Sequence, residues 1–460
     1  MKKYKMRLKP YADLIARKAV AAQQHGIEAG PMPPALFDYQ RNVTEFALRT
    51  GRAALFLDTG LGKTICQVEW ARQIPGKKLI LAPVAVAPQT VREAEEKLGV
   101  EIGHSRDGST DHDITITNYE RLHLFDVSQF TGVVLDESSI LKSFEGKTKQ
   151  RLCQAFGQTP FRLCCTATPA PNDYTELGNH SDFLGVMPQS EMLARWFVND
   201  SSDTGTWRLK GHAVRPFWEW VASWAACAEK PSDAGGDDSR HALPPLTTKV
   251  HVVEALAGPC IESGTLFGNL EISATSMHAD KRATAKQRCK IASDLANSTG
   301  YPVIVWCESN TESSLLAEMI PNAVEVVGSD DPDDKEAKLD AFSRGEARVI
   351  VTKPSIAGFG LNWQHCNRVI FASISYSFES FYQAVRRSWR FGQTKPVNVD
   401  VVIASSEQGV WQSVQRKMRD HDGMKAAMRY AKFSAAHAKC ISLPYQPKTS
   451  ASLPSWLTDL

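Results

Sequence analysis

The sequence predicts an α/β protein with two successive blocks, each a parallel sheet flanked by helices. Between residues 36 and 184, short β-rich apolar runs alternate with helical stretches. The same alternation returns in a second block that starts near residue 246. Such alternation is typical of parallel sheets, because each parallel crossover places a helix on one face of the sheet.

The predicted elements divide the chain into five parts. Residues 1–30 are expected to form a basic, helical extension that ends at a Gly-Pro-Met-Pro-Pro break. Residues 31–184 form the first block, residues 185–245 a helical insertion and linker, residues 246–405 the second block, and residues 406–460 a basic helical extension with a tail. The strands expected in the first block are 53–57, 78–82, 114–117, 132–135 and 162–166. Those expected in the second are 303–306, 323–327, 348–352, 368–371 and 397–403.

The insertion is rich in tryptophan, and the spacing of its aromatic residues bears on their role. Phe217, Trp220, Val221 and Trp224 recur at the spacing of one helix face. Such a stripe more often marks core packing than a platform on which nucleic-acid bases stack. We therefore expect these four side chains to be buried.

Composition and charge exclude several classes of protein. Of the 460 residues, 43% are hydrophobic and 23% are charged, which is ordinary for a folded protein and argues against wholesale disorder. The apolar runs fall short of the ~18 residues of a membrane span, and no signal-peptide core follows the basic N-terminus. We therefore expect a cytoplasmic protein without membrane association. Ten cysteines without a CxxC spacing argue against a zinc site and a disulfide scaffold.

The first candidate site follows the first predicted strand. In the segment LFLDTGLGKTICQVEWA, an apolar strand leads into a glycine-rich turn and then a helix. Gly60 and Gly62 let backbone N–H groups close on phosphate oxygens, and the start of the helix directs its positive end to the same place. Lys63 would neutralise the β- and γ-phosphates, and Thr64 would place a hydroxyl on Mg²⁺. Leu57 replaces the first glycine of the general GxxxxGK(S/T) pattern. The predicted nucleotide-binding residues of this loop are Asp58, Thr59, Gly60, Leu61, Gly62, Lys63 and Thr64.

Two carboxylates end a later apolar strand, in the segment GVVLDESS. A carboxylate at the tip of such a strand can hold the Mg²⁺ that Thr64 contacts, and the next one can orient or deprotonate the attacking water. This assigns Asp136 to the metal and Glu137 to the role of general base. An isolated Asp-Glu pair is usually a surface feature, but its position behind a strand and downstream of a phosphate loop favours function.

The third candidate site is the arginine-rich segment SFESFYQAVRRSWRFGQTKPVNV. Gln383, Arg387 and Arg390 are three to four residues apart, which predicts that they share one helical surface. Two guanidinium groups at this spacing can reach one phosphate edge, as arginine fingers do. A solvated basic helix has the same pattern, so the residues alone leave both interpretations open.

Together with these three sites, an ordered set of segments resembles the motifs of superfamily-two helicase-like ATPases. In the first block the matching segments are FDYQ (37–40), DTGLGKT (58–64), LAPVAVAPQTVREAE (81–95), ITNYERL (116–122), DESS (136–139) and TATPAPNDYTELGNHSDFL (166–184). In the second block they are VIVWCESN (303–310), TKPSIAGFGLNWQHCNRVIF (352–371) and QAVRRSWRFGQTKPV (383–397). The likeness is strongest to Swi/Snf-type DNA translocases, in the compact form found in bacteria and their phages.

The resemblance implies two tandem RecA-like domains that bind ATP and Mg²⁺ in the cleft between them. It implies that Gln40 contacts the adenine base and that Lys63, Glu137, Arg387 and Arg390 act in catalysis, with Gln383 at the nucleotide. It also implies sequence-independent binding of DNA, with duplex favoured over single strands, by a protein that is expected to be a monomer. The predicted nucleic-acid contacts are Pro83, Asn118, Thr352 and Lys353, and the residues predicted to couple the two sites are Thr166 and Thr168.

Two departures from the family pattern and three alternatives qualify this interpretation. DESS replaces the DEAD or DEAH form, which disfavours a DEAD-box RNA helicase, and Arg386 stands where the family usually has Asp. A strand-separating DNA or RNA helicase stays open, because no segment identifies a wedge. A non-hydrolysing nucleic-acid scaffold is disfavoured by the intact lysine, carboxylates and arginines. An unrelated P-loop enzyme, such as a small-molecule kinase, leaves the second block and the arginine segment unexplained.

Overall fold

The computed structural model of the chain describes residues 25–84, 86–142, 146–199, 207–254, 280–357 and 361–440. Of the predicted N-terminal helical extension, residues 1–24 lie outside this description, and residues 25–30 have no regular secondary structure. The predicted tail from residue 441 onward also lies outside it. Among the described residues, no helix is both long enough and apolar enough to cross a bilayer.

The first half of the chain forms a seven-stranded parallel sheet with a short antiparallel pair beside it. The strands, in chain order, are β1 (Arg52–Leu57), β2 (Lys77–Ala82), β3 (Gly103–His104), β4 (Ile114–Asn118), β5 (Phe130–Asp136), β6 (Phe161–Cys165), β7 (Phe197–Asn199), β8 (Trp207–Leu209) and β9 (Ala225–Ala228). The order across the sheet is β3-β4-β2-β5-β6-β1-β9, and β7 pairs with β8. The helices are α1 (Asp38–Thr50), α2 (Lys63–Gln73), α3 (Ala87–Leu98), α4 (Lys147–Phe156), α5 (Leu177–Leu184), α6 (Gln189–Trp196) and α7 (Val214–Trp224).

The second half forms a six-stranded parallel sheet. Its strands are β10 (Leu246–Val253), β11 (Val303–Trp306), β12 (Ala323–Val326), β13 (Val349–Thr352), β14 (Arg368–Phe371) and β15 (Val397–Ala404), in the order β10-β15-β14-β11-β13-β12. The helices are α8 (Ala285–Asn297), α9 (Asn310–Met319), α10 (Pro332–Ser343), α11 (Pro354–Ala357), α12 (Phe378–Val385) and α13 (Gln408–Cys440). The ten predicted strands are therefore confirmed within a residue or two at their ends.

Strand β9 lies within the segment predicted to be an insertion and linker. It pairs in parallel with β1, with Ala54 opposite Ala225 and Leu57 opposite Ala228. This segment therefore supplies an edge strand to the first sheet as well as helices. The tryptophan stripe of α7 packs below that edge: Phe217, Trp220, Val221 and Trp224 are all buried, as their spacing predicts.

Helix α13 belongs to the cores of both sheets. Near its start, Val410, Trp411 and Val414 pack in the core beneath the second sheet. Farther along, Met424 and Met428 pack in the core of the first sheet, where α13 contacts α7 and β9. At 33 residues the helix is about 50 Å long, enough to reach from one sheet to the other. The helix therefore joins the two halves of the molecule through hydrophobic contacts.

Replacing Met424 tests this packing. Met424 is fully buried, so Met424→Ala is expected to lower the free energy of unfolding by about 2–5 kcal/mol through lost contacts and an unfilled cavity. Tyr430 lies on the same helix with 72% of its side chain exposed, and Tyr430→Ala is expected to change stability by less than about 0.5 kcal/mol. Urea unfolding followed by tryptophan fluorescence measures both. Equal effects of the two substitutions would contradict the docking of α13.

Candidate active site

The carboxyl ends of neighbouring strands bring the predicted residues of the first sheet together. Strands β5, β6 and β1 are consecutive in that sheet. Asp136 ends β5, Thr166 follows β6, and Asp58 follows β1. In parallel sheets, ligands bind at this carboxyl edge. The two carboxylates, the threonine and the phosphate loop therefore share one edge of the sheet.

The phosphate loop between β1 and α2 depends on its two glycines. Gly60 and Gly62 have φ angles of +89° and +76°, in the left-handed region that favours glycine. A Cβ on Gly62 would collide with the side chain of Gln40, and one on Gly60 would lie 2.9 Å from the backbone nitrogen of Phe391. Gly62 also caps the start of α2, whose N-terminus adds positive potential at the loop. The loop is thus shaped for an anion and is closely covered by the segment around Phe391, which precedes β15.

Lys63 and Thr64, at the start of α2, line a cavity of about 260 Å³. The Lys63 ammonium donates to the carbonyl oxygen of Leu57 at 3.1 Å, which holds it at the end of β1. Thr59, Gly60 and Gly62 line the same cavity. These are the positions from which a phosphate loop contacts a nucleotide.

Asp136 and Glu137, at the end of β5, also line this cavity. Burial, followed by the charge of Glu137, raises the pKa of Asp136 to about 7. Glu137 has a φ of +53°, a strained conformation for a residue with a side chain, and such strain is often found at functional sites. The Thr166 hydroxyl donates to Glu137 Oε2 at 3.3 Å, and the Thr168 N–H donates to Thr166 Oγ1 at 3.1 Å. The two predicted coupling residues therefore form a chain of hydrogen bonds that ends on Glu137.

The residues at this edge fit a hard divalent cation such as Mg²⁺. Mg²⁺ usually binds to proteins through one or two carboxylates, with water and phosphate oxygens completing its coordination. Asp136 offers a buried carboxylate, and a nearby cation would favour its charged form. Thr64 lines the same cavity. These two residues would hold the ion.

Arg387 and Arg390, which come from the second half of the chain, line the same cavity. Each donates from Nη1 to the carbonyl oxygen of Leu361, at 3.0 and 3.2 Å. Burial, followed by the charge of Arg390, lowers the pKa of Arg387 to about 9, and burial also lowers the pKa of Arg390. The Nε atom of Arg390 is buried without a hydrogen-bond partner among the described residues. Two adjacent cations removed from water favour an anion between the sheets.

The predicted helical surface for Gln383, Arg387 and Arg390 is wrong, although the side chains do lie near one another. Helix α12 ends at Val385, so only Gln383 is helical. Both arginines lie in the turns that follow, where the Arg387 N–H donates to the Ala384 carbonyl oxygen in a tight turn. Gln383 Oε1 accepts from Arg387 Nη2 at 3.1 Å, so Gln383 positions an arginine. The side chains lie near one another because the turns after α12 keep the chain coiled, as its hydrogen bonds from Arg386 to Tyr382 and from Arg387 to Ala384 show.

Four predicted nucleotide-binding residues do not line the cavity: Gln383, which contacts Arg387, and Gln40, Leu61 and Asp58. Both ends of the Gln40 amide are occupied, since Oε1 accepts from the Phe37 N–H at 3.0 Å and Nε2 donates to the Leu61 carbonyl oxygen at 3.1 Å. Gln40 therefore supports the phosphate loop, and its contact with adenine stays a prediction. Leu61 is buried in the core, and Asp58 is turned toward Arg386.

Several cavity residues were missed by the sequence analysis. Asn362, Gln364 and Phe391 come from segments that resemble family motifs, but only their place in those segments could have indicated them. His241 comes from the polar linker, where no pattern marks it. Its ring stacks on Phe391 with 4.5 Å between centroids and lines a second cavity of about 180 Å³ beside Phe37.

The predicted nucleic-acid contacts lie at the carboxyl edges of both sheets. Asn118 ends β4 and pairs with Ala82, the last residue of β2. Pro83 follows Ala82, so the two predicted residues of the first sheet lie at the ends of neighbouring strands. Lys353 follows β13 in the second sheet and is half-buried. Thr352 is buried, and its hydroxyl donates to the Val326 carbonyl oxygen at 3.0 Å. Contact with nucleic acid stays a prediction for all four.

Comparison with known proteins supports a helicase-like ATPase. Residues 271–392 match the model of the helicase conserved C-terminal domain. The chain is similar to the SWI/SNF-related matrix-associated actin-dependent regulator of chromatin subfamily A-like protein 1 of Xenopus tropicalis and of Xenopus laevis, each 22% identical over 428 residues. The alignments cover 84% of this chain but 44% and 43% of those relatives, so the chain spans less than half of their length.

The two parallel sheets flanked by helices confirm the predicted fold class of two tandem RecA-like domains. We call the first sheet with α1–α7 lobe 1 and the second sheet with α8–α12 lobe 2. The cavity described above lies between the lobes, with the phosphate loop and the carboxylates on lobe 1 and the arginines on lobe 2.

Substituting Glu137 tests the assignment of the general base. Glu137→Gln is expected to abolish ATP turnover while ATP still binds, because an amide of the same shape does not accept the proton of the attacking water. Steady-state hydrolysis and binding of a fluorescent ATP analogue measure the two effects. Glu95→Gln, at an exposed carboxylate of the same lobe that does not line the cavity, is the control and is expected to leave turnover unchanged. Normal turnover in Glu137→Gln would show that Glu137 is not the general base.

Substituting Arg390 tests whether lobe 2 supplies charge to the transition state. Arg390→Ala is expected to lower kcat by about 10³-fold, the size expected for an arginine finger, with a smaller change in KM. Arg344→Ala, at an exposed arginine of the same lobe, serves as the control. A change confined to KM would indicate that Arg390 only binds the nucleotide.

Proposed function

We propose that this protein is an ATP-dependent DNA translocase that couples hydrolysis of Mg–ATP to movement along DNA, without dependence on base sequence. The support comes from the cleft, the helicase C-terminal match and the likeness to SWI/SNF-related proteins. The relatives are longer than this chain, so the proposal concerns the motor and does not extend to their other activities.

One observation carries the proposal: the parts needed for hydrolysis are divided between two lobes. Lys63 and Glu137 line the cavity from lobe 1, and Arg387 and Arg390 line it from lobe 2. Stabilisation of transition-state charge depends on donors placed within hydrogen-bond distance of the developing charge. The rate of hydrolysis in such a cleft therefore depends on the relative position of the lobes, which is the property a motor uses.

Each residue of the cleft has a defined part in this proposal. The phosphate loop and Lys63 bind the phosphates, and Glu137 accepts a proton from the attacking water. Mg²⁺ bound at Asp136 and Thr64 would neutralise charge on the phosphate oxygens. Arg387, oriented by Gln383, and Arg390 stabilise the charge that develops on the γ-phosphate.

Nucleic acid is proposed to lie across the carboxyl edges of both lobes. In this proposal Pro83 and Asn118 contact the nucleic acid from lobe 1 and Lys353 contacts it from lobe 2, while Thr352 supports its strand from within the core. Contacts of this kind hold the sugar-phosphate backbone and carry little sequence information. The hydrogen bonds from Thr168 through Thr166 to Glu137 give a route by which an event at this edge reaches the water-activating carboxylate.

Steady-state ATP hydrolysis with no polymer, duplex DNA, single-stranded DNA or RNA tests the proposal. We expect duplex DNA to raise kcat by about tenfold or more, within the ordinary range of coupling between two sites. The DNA concentration needed for half of this effect should rise steeply with salt, because the contacts are to phosphates.

The other outcomes of this experiment distinguish the translocase from a strand-separating helicase and from a nucleic-acid-binding scaffold. Stimulation by single strands or RNA alone would favour a strand-separating helicase, which a forked-duplex assay distinguishes from a translocase measured by triplex displacement. Absence of hydrolysis with every polymer, while ATP still binds, would contradict the motor and favour a nucleic-acid-binding scaffold.

A further inference from the structure

A buried group of charged side chains lies between the lobes, next to the ATP cleft but separate from it. Asp58, at the start of the phosphate loop, accepts from Arg386 Nη2 at 2.7 Å and from Lys425 Nζ at 3.4 Å. The Tyr382 hydroxyl donates to the other oxygen of the same carboxylate. We call Asp58, Tyr382, Arg386 and Lys425 the Asp58 cluster. The side chains of Asp58, Arg386 and Lys425 are only 4%, 9% and 1% exposed.

The cluster joins three parts of the protein. Asp58 belongs to lobe 1, Tyr382 and Arg386 to lobe 2, and Lys425 to α13. Burial alone would raise the pKa of Asp58, but the charges of Arg386 and Lys425 outweigh it and hold that pKa well below its usual range. Removing one partner of such a buried set leaves an uncompensated charge, which is strongly destabilising. The paired carboxylate therefore favours the arrangement in which the three parts are together.

Two further contacts surround the cluster and support the same arrangement. Glu229, just after β9, lies 3.8 Å from Lys425 and accepts from Arg429 at 2.6 Å, so α13 has a second ionic contact with lobe 1. On another side of the interface, Lys142 of lobe 1 pairs with Glu379 of lobe 2 at 2.6 Å. Both sets of contacts are formed between side chains of the same chain.

The position of the cluster connects it to the hydrolytic residues on both sides. Asp58 precedes Gly60 by two residues and Lys63 by five, and Gly60 lies against Phe391. Arg386 is adjacent to Arg387, and its guanidinium also lies 4.3 Å from the ring centroid of Trp389. Fixing Asp58 against Arg386 therefore fixes the phosphate loop relative to the arginines of lobe 2.

We propose that the Asp58 cluster holds the lobes closed in the absence of nucleic acid and thereby sets the basal rate of ATP hydrolysis. Asp58, Arg386 and Lys425 are then positioning residues, since none of them lines the cavity. The inference rests on the proposed function, because it requires that bound nucleic acid closes the lobes fully. The cluster has already brought them most of the way together. Weakening the cluster should make hydrolysis depend more on nucleic acid.

Kinetic comparison of Arg386→Gln and Lys425→Met with the unaltered chain tests the proposal. We expect the basal kcat to fall about tenfold, the kcat with saturating duplex DNA to fall less than about threefold, and KM for ATP to stay within about twofold. The ratio of stimulated to basal rate therefore rises. A merely structural role lowers both rates by one factor and leaves that ratio unchanged, which would overturn the proposal. Arg344→Gln, at an exposed arginine of lobe 2, is the matched control and should leave the ratio unchanged.

A variant that removes both partners guards against loss of folding. In Asp58→Asn with Arg386→Gln, one negative and one positive charge disappear, and Lys425 keeps Glu229 as a neighbour. The effect of the double variant on basal kcat should be smaller than the product of the two single effects, because the two residues interact directly. Multiplicative effects would show that Asp58 and Arg386 act separately, contrary to the proposal.

A distance measurement separates failure of this inference from failure of the proposed function. Spin-labelled unnatural amino acids at exposed positions 96 in lobe 1 and 336 in lobe 2 report the distance between lobes without any hydrolysis. Without ligands, the unaltered chain should show one short-distance population, and Arg386→Gln should add a longer one. Identical distributions would overturn the role of the cluster even if the enzyme is a translocase. A difference in distances in a protein that never hydrolyses ATP would support the closure and contradict the motor.

Discussion

Gly60 lies against the backbone of Phe391, and this contact between the phosphate loop and lobe 2 sets the width of the cleft. A Cβ at position 60 would lie 2.9 Å from both the nitrogen and the Cβ of Phe391, so a larger residue would push the lobes apart. The arginines just before Phe391 share the Leu361 carbonyl oxygen and would move with that segment. Because transition-state stabilisation depends on short donor distances, the absence of a side chain at Gly60 permits the approach of the lobes on which the proposed catalysis depends.

The fold was predictable where each strand carries its own signal. Strands β11 and β13 each begin with Val-Ile-Val and are buried along their whole length, because both faces of a parallel sheet are covered. Strand β9 is Ala-Ala-Cys-Ala, which lacks the β-branched and aromatic residues typical of strands. It forms because β1 offers an open edge and because α7 and α13 pack on it. That information lies in distant parts of the chain, so a local pattern could not reveal it.

In the candidate site, too, local sequence predicts some features and not others. The place of Lys63 in the cavity was predictable because a strand, a glycine-rich turn and a helix follow one another within a few residues. That of Asp136 and Glu137 was predictable because the two carboxylates end an apolar strand. The pairing of Asp58 with Arg386 spans 328 residues, and no local pattern indicates that a carboxylate of the phosphate loop will meet a particular arginine. The helical spacing through Arg390 was misleading for a related reason, since the chain leaves α12 at Val385 to present its arginines to the other lobe.

Helix α13 limits the ways in which the cleft opens. Val410 and Val414 are buried in the core of lobe 2, and Met424 and Met428 in that of lobe 1, so separating the lobes as rigid bodies requires undocking one end of the helix. Exposing the two methionines alone costs about 3–6 kcal/mol. One lobe can instead rotate about the part of the helix between Val414 and Met424. This rotation keeps the buried residues at both ends of the helix docked. Gly423, directly before Met424, weakens the helix at that junction because glycine has a low helix propensity. A rotation that keeps both ends docked therefore costs less than complete separation.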